Sequence, residues 1–476
     1  MNAARLIIAG FSGDSGKTIV SLGVITAARL RGLTVAPFKK GPDYIDSAWL
    51  SNCAGVPCRN LDTWMVKPEN VARSFGRFAQ RYDLSIIEGN RGLFDGKNVI
   101  GSHSTAELAK LLQAPLVLVV NATKTTRTLA ALIKGCQVFD GNVNIAGVIL
   151  NRIAGSRHEK IIKDTIEKYC DIPILGVIPK LGDDSKLIPG RHLGLIPPAE
   201  FMSRTEVASK LSEIAEKNID IDKLIKIAKS APPMKIIEDE HPESPRQNIR
   251  IGYFSDSVFT FYYPENLEAL ESHGADLIPI SSLADLTLPD IDGLYIGGGF
   301  PETQADKLCQ NHSLMESVKS AVENYMPIYA ECGGLIYLCH SIKWDDDTHL
   351  MSGIFPIDLE MKVKPVGHGY TEFKVEKPNP FFPVDKTIRG HEFHYSGVSS
   401  GCSEVNSCLN LSRGVGLGNG RDGLLYRNCL ACYSHIHADG VPVWAGEFIA
   451  RARDYSRKSK NDRGSLGTSR NCAMCA

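Results

Sequence analysis

The chain reads as an α/β protein built from two α/β domains, the first around a parallel sheet. Three observations predict this. Short, continuously apolar runs alternate with helix-like segments through the first 180 residues. A glycine-rich loop, Gly10-Phe-Ser-Gly-Asp-Ser-Gly-Lys-Thr18, sits between the first run and the first helical pattern. A proline-rich, charged stretch at 230–248 then interrupts the pattern, and a second alternation of runs and helices follows it.

In order, the apolar runs of the first half lie at 6–9, 35–38, 84–87, 116–120, 146–150 and 174–178. Helical periodicity lies between most of them, as at 105–112 and 158–169. Runs apolar on both faces, joined by helices, are the strands of a parallel sheet covered on both sides. Ligands bind such sheets outside the carboxyl ends of the strands. The polar motifs fall there: the glycine loop after the first run, 39–46 after the second and 88–96 after the third. The second half repeats the pattern with runs at 249–254, 276–280, 293–296 and 327–330. The expected division is therefore 1–229, a linker 230–248, a second domain 249–455, and a polar, basic tail 456–476 without order.

Bulk properties narrow the class. The 476 residues exceed one ordinary core, and 43% hydrophobic with 22% charged residues is a globular composition. A net charge of −1 gives nucleic acid no bulk attraction. No apolar run approaches a membrane span and no charged-then-apolar leader opens the chain. Thirteen unpaired-looking cysteines fit reduced thiols and a cytoplasmic location. Cys472-Ala-Met-Cys475 has the spacing of half a zinc or redox site but lacks a second pair, so it carries no function in this reading.

The glycine loop precedes a helix opening at Lys17-Thr18, so backbone N–H groups of Gly13, Asp14, Ser15 and Gly16 would cradle phosphates. Lys17 would meet the terminal phosphates and the Thr18 hydroxyl a Mg²⁺ ion. Five residues separate Gly10 from Gly16, one more than the usual phosphate loop has. Mg²⁺ among phosphates takes one or two protein carboxylates, and Thr18 with Asp43 and Glu88 would satisfy it. Lys39 and Lys40 would neutralise a transferring phosphoryl group. Ser104-Thr-Ala-Glu107 reads as a capping box. Asn151-Arg152 reads equally as a turn or as a reader of a purine edge.

In the second half, Pro327-Ile-Tyr-Ala-Glu-Cys-Gly-Gly334 is a strand running into a cysteine and two glycines. A sharp strand–nucleophile–helix turn needs such small neighbours. Placing Cys332 at a helix start is expected to lower its pKa. Gly298 and Gly299 of Gly297-Gly-Gly-Phe-Pro-Glu302 would form an oxyanion hole with Gly333. Tyr433-Ser-His-Ile-His437 supplies a base, His435 first and His437 second.

Together these blocks resemble the cobyrinic acid a,c-diamide synthase family to about Arg453. The first half is similar to dethiobiotin synthetase, which shares the longer loop, and so implies a P-loop domain. The second is similar to the class I glutamine amidotransferases. The resemblance rests on Lys40-Gly-Pro-Asp-Tyr-Ile-Asp46, Glu88-Gly-Asn-Arg-Gly-Leu-Phe-Asp-Gly96, Arg191-His-Leu-Gly194, Phe261-Tyr-Tyr-Pro-Glu-Asn-Leu267, Ala330-Glu-Cys-Gly-Gly334 and Gly390-His-Glu-Phe-His-Tyr-Ser396. It implies that Cys332, served by His435, releases ammonia from glutamine. ATP·Mg²⁺ would phosphorylate the a and c carboxylates of a corrin macrocycle, and ammonia would displace phosphate. Asp43, Tyr44, Asp46 and Asp95 would then line the macrocycle site.

The implied partners are small molecules, with a homodimer allowed for. Two departures stand out. The glutamate that class I enzymes carry two residues after the histidine is His437 here, and an aliphatic or valine-methionine pair is replaced by Asn90-Arg91. Hydrogenobyrinic acid and nickel sirohydrochlorin remain alternative macrocycles. Cobyric acid synthase tends to lack the Gly-Pro-Asp-Tyr-Ile-Asp block. A nucleotide-switched ATPase acting by partner binding would leave Cys332 without a task.

Overall fold

The computed structural model describes residues 3–181, 190–191, 194–195, 198, 204–234, 248–401 and 406–470. The chain separates into two compact units, dividing at Glu240 and His241, within the predicted linker. Cys472 and Cys475, like His192 and Leu193 of the Arg191–Gly194 block, lie outside the described residues.

In the first unit seven strands form one sheet: β1 (Arg5–Gly10), β2 (Val35–Lys40), β3 (Arg59–Leu61), β4 (Leu84–Glu88), β5 (Leu116–Asn121), β6 (Ile145–Ile153) and β7 (Ile174–Pro179). Their spatial order is β3-β2-β4-β1-β5-β6-β7, with every pairing parallel. The six apolar runs are six of these strands. The three-residue edge strand β3 lies in Arg59-Asn-Leu61, too short and too polar to register as a run. Leu6, Ile8, Ile86, Val117 and Ile149 anchor a core on one face with helix α1 (Lys17–Leu30). Glycine at position 23 lets that helix approach the helix Arg204–Asn218, since a Cβ there would stand 2.9 Å from the Leu211 carbonyl.

This strand order has one decisive consequence. β2, β4 and β1 are adjacent and run the same way, so the three polar motifs meet at one end of the sheet. In register, Lys39 pairs with Glu88 and Ile8 with Glu88.

The second unit holds a nine-stranded mixed sheet. Its parallel part contains Ala275–Ile280, Ile249–Phe254, Gly293–Ile296, Ile328–Glu331 and Cys429–Cys432. Four antiparallel strands extend it: Arg421–Tyr426, Ser407–Arg413, Gly367–Val375 and Thr387–His394. A separate four-stranded sheet includes Cys339–Trp344 and Phe355–Met361. These antiparallel strands have exposed as well as buried positions, as in Gly367–Val375, and so escape a search for continuous apolar runs.

The closing helix runs Val443–Arg470. This corrects the expectation that order ends at Ser456. The apolar residues Trp444, Phe448, Ile449 and Ala452 bury the start of the helix, and its backbone continues through polar sequence. The Trp444 ring lies 5.4 Å from the rings of both Tyr295 and Tyr329. Among the described residues no helix is long and apolar enough to cross a membrane.

Truncating Trp444 removes the largest side chain at this junction. Trp444→Ala is expected to destabilise the second unit by about 3–5 kcal/mol. Urea unfolding followed by far-UV circular dichroism reads this as an earlier transition.

Candidate functional site

In the first unit, Gly16 has φ +95°, the left-handed conformation that glycine tolerates. A Cβ there would stand 2.1 Å from Asn151 Nδ2, which instead donates to the Ser15 carbonyl at 3.0 Å. Asn151 therefore braces the loop from beneath, and with Arg152 it lies within β6 rather than in a turn. Its neighbour Arg152 reaches the exposed crest, where Nη1 and Nη2 each donate to one Asp14 carboxylate oxygen at 3.0 Å. Gly13 is exposed beside Asp14, and Ser15 Oγ donates to the Ser12 carbonyl at 2.6 Å.

Lys17 is buried and its ammonium donates to the carbonyls of Ser12 (2.7 Å) and Arg91 (2.9 Å). Burial pushes its pKa down, partly opposed by Glu88. The Arg91 side chain is exposed, so its backbone oxygen is the atom that meets the lysine. Thr18 Oγ1 donates to Glu88 Oε1 at 2.8 Å, which joins the loop to the end of β4.

Lys39, at the end of β2, is the hub. Its ammonium lies 2.5 Å from Asp46, 2.9 Å from Glu88 and 3.9 Å from Asp43. Burial disfavours that charge, but the three carboxylates outweigh it and hold the ammonium protonated well above its ordinary range. The same ammonium keeps Asp46 low against its own burial. Asp43 is pushed up, by burial and then by the Asp46 charge.

Pro42 and the helix Tyr44–Ala54 present these carboxylates. Asp43 is its N-cap, accepting from the Asp46 N–H at 2.9 Å, and Tyr44 opens the first turn. Asn60, on the unforeseen edge strand, clamps the turn by donating to the Gly41 and Asp43 carbonyls. Lys40 is buried beside Lys39, and burial lowers its pKa. Asp95 folds back on its own loop, accepting from the Gly92 N–H at 2.9 Å, and its charge is felt by Lys17. Ser104 does cap its helix, accepting from the Glu107 N–H.

The donor set suits a hydrated divalent cation. Glu88 Oε2 is buried and accepts no hydrogen bond, an orphan lone-pair site next to the Thr18 hydroxyl. Among the described residues no three His, Cys, Asp or Glu side chains form a cage, so an ion here would need phosphate oxygens to complete its sphere.

In the second unit, Cys332 sits at the turn between the strand Ile328–Glu331 and the helix Gly333–Leu338 with φ +50°, ψ −99°. Side chains rarely adopt this conformation, and it is the backbone signature of a nucleophile elbow. A Cβ on Gly334 would stand 2.4 Å from the Ile296 carbonyl, so the tight turn requires glycine. The thiol pKa is not lowered as expected. Burial, followed by the charge of Glu302, pushes it up. The short helix start does not overcome desolvation.

His435 is buried, with Nδ1 3.5 Å from Glu331 Oε2. Its backbone is zipped to His391 in both directions, at 2.8 and 3.1 Å, and the two rings stack with centroids 4.9 Å apart. Gly298 supports this ring by having no side chain, because a Cβ would stand 2.5 Å from His435 Cε1. Its N–H donates to the Phe261 carbonyl at 3.3 Å, which removes Gly298 from the predicted oxyanion donors. Gly299 and Gly333 remain side by side: a Cβ on Gly333 would stand 2.9 Å from the Gly299 nitrogen.

His437 faces Glu265 at 3.6 Å and packs on the Tyr263 ring. Asn266 clamps the histidine segment, donating to the Ile436 carbonyl and accepting from the Ala438 N–H. The Phe261–Leu267 block thus works by holding the histidines.

A phosphate loop joined to a buried lysine–carboxylate cluster in one unit, with a strained cysteine elbow and a buried histidine held by Glu331 in the other, is the residue set of a glutamine-hydrolysing ligase. Residues 6–192 match the CobQ/CobB/MinD/ParA nucleotide binding domain, and residues 250–443 the CobB/CobQ-like glutamine amidotransferase domain. The chain is 43% identical over 453 residues to the cobyrinate a,c-diamide synthase of Magnetococcus marinus, covering 94% of this chain and 96% of that protein. It is 37% identical over 454 residues to the enzyme of that name from Archaeoglobus fulgidus, covering 95% and 98%. The chain belongs to the cobyrinate a,c-diamide synthase family.

Alanine at position 298 would drive the His435 ring out of place. Gly298→Ala is expected to cut glutamine-dependent turnover at least about 100-fold while sparing ammonia-dependent turnover. Steady-state rates with each nitrogen source check this.

Proposed function

We propose that the protein amidates the a and c carboxylates of cobyrinic acid, using ATP and glutamine, with acyl phosphates as intermediates. The observation that carries this reading is the pairing in one chain of a phosphate loop with a strained cysteine elbow. An acyl phosphate needs ATP on one side and a nitrogen nucleophile on the other.

At the second site, His435 takes the proton from the Cys332 thiol as sulfur attacks the side-chain amide carbon of glutamine. The C–N bond breaks, the nitrogen takes that proton from His435 and leaves as ammonia, and a thioester remains. Water hydrolyses the thioester, giving glutamate and the free thiol. The adjacent amides of Gly299 and Gly333 fit the developing oxyanion.

At the first site, the loop Gly13–Thr18 and Lys17 hold the phosphates of ATP. Lys39 and Lys40 offset charge on the transferring phosphoryl group. Thr18, Asp43 and Glu88 would hold a Mg²⁺ ion, which would supply positive charge to offset that of the phosphates. The substrate carboxylate attacks the γ-phosphorus, ADP leaves, and ammonia then attacks the acyl carbon and displaces phosphate. Asp43, Tyr44, Asp46 and Asp95 orient the macrocycle. The alternative of a nucleotide-switched ATPase gives Cys332 no task, which counts against it.

The test is ATP- and glutamine-dependent amidation of cobyrinic acid, with hydrogenobyrinic acid and nickel sirohydrochlorin as comparison substrates and mass spectrometry counting amides. Two additions to cobyrinic acid are expected; none, or more, would refute the assignment. Cys332→Ala should lose glutamine use and keep ammonia use. Glu88→Gln should lose about 100-fold or more with either nitrogen source, and an unchanged rate would remove Glu88 from the nucleotide site.

A further inference from the structure

Glu331 precedes the nucleophile in sequence and is fully buried. Three donors converge on its carboxylate: Tyr295 Oη at 2.9 Å, Tyr329 Oη at 3.1 Å and the Ile436 N–H at 3.0 Å. Burial, with the Glu331 charge adding to it, keeps both phenols protonated and able to donate. The carboxylate is thereby aimed, and the group in front of it is His435 Nδ1, 3.5 Å away. One of its donors, Ile436 N–H, belongs to the residue after that histidine, so a single carboxylate grips both the backbone and the ring of the 435–436 segment.

The position two residues after the histidine offers no carboxylate. It is His437, occupied with Glu265 and accepting from the Asp439 N–H through Nδ1. His391 covers the other face of the His435 ring, itself held neutral by burial and by its histidine neighbours. On the Nδ1 side of the ring the charged group is the Glu331 carboxylate, at 3.5 Å.

We propose that Glu331 is the positioning carboxylate of His435. It fixes the tautomer with hydrogen on Nδ1, leaves Nε2 on the Gly298 side as proton acceptor, and stabilises the imidazolium formed when Cys332 loses its proton. Orienting group and nucleophile would then be consecutive residues. This inference rests on the glutaminase reading above.

The experiment uses the full-length protein with Glu331→Gln, run beside Cys332→Ala. The glutamine is isosteric with the native side chain but offers Nδ1 no anion. Glutamine-dependent kcat is expected to fall about 10²–10⁴-fold. Glutamine KM should stay within about threefold, and ammonia-dependent turnover within about twofold. The acid limb of kcat/KM for glutamine should move to lower pH, because the imidazolium has lost its counter-charge.

A glutamine-dependent kcat within about fivefold of wild type, with the acid limb unmoved, would overturn the proposal. So would a loss expressed in KM with an unmoved limb, which is the mark of a structural role. If Glu331→Gln does not fold, Glu331→Asp carries the test: its retracted carboxylate should cost about 10-fold or more in kcat, and wild-type turnover would refute the role. Glutamine use surviving in Cys332→Ala would instead refute the glutaminase reading itself.

Discussion

A single buried ammonium organises the nucleotide end of this protein. Lys39 ends β2 in register with Glu88 at the end of β4, and Asp46 and Asp43 reach it from the helix that follows. An unpaired lysine at this depth would shed its proton, and three carboxylates without the lysine would repel one another. The charges are therefore conditional on each other. Through Thr18 the same network extends to the phosphate loop, so the loop, the Asp43 turn and the β4 terminus are one electrostatic unit.

Much of this was legible in the sequence, for identifiable reasons. Strands buried on both faces leave continuous apolar runs, and six of the seven in the first sheet did so. The glycine loop and the cysteine elbow were legible because tight turns restrict residue type: Gly16 and Gly334 sit where a Cβ would collide. The antiparallel strands of the second sheet escaped because partly exposed strands interleave polar residues. The polar residues from Ser456 to Arg470, expected to lack order, instead continue the helix that Trp444 and Phe448 anchor.

Within the sites, residue types were easier to read than partners. Lys39, Asp43, Asp46 and Glu88 were all singled out, yet nothing in their spacing revealed that the three acids share one ammonium. That depends on strand order, which places β4 between β1 and β2. Gly298 was assigned to the oxyanion hole from its neighbours, whereas its N–H is taken by Phe261 and its missing side chain makes room for a ring. The expected low thiol pKa failed because a six-residue helix start competes poorly with complete burial. Glu331 was hidden in plain view inside the Ala-Glu-Cys-Gly-Gly motif, since adjacency along a strand says nothing about which distant histidine a side chain will face.

The adjacency of Glu331 and Cys332 has a mechanical corollary. Two groups on one short stretch of backbone, pinned by Tyr295 and Tyr329, move as one body. The histidine is likewise pinned, zipped to His391, and the segment after it is clamped on either side of His437 by Asn266. Because the Glu331 carboxylate also bonds the Ile436 N–H, the two pinned parts are tied to each other, and the second site is aligned by a single bridging side chain.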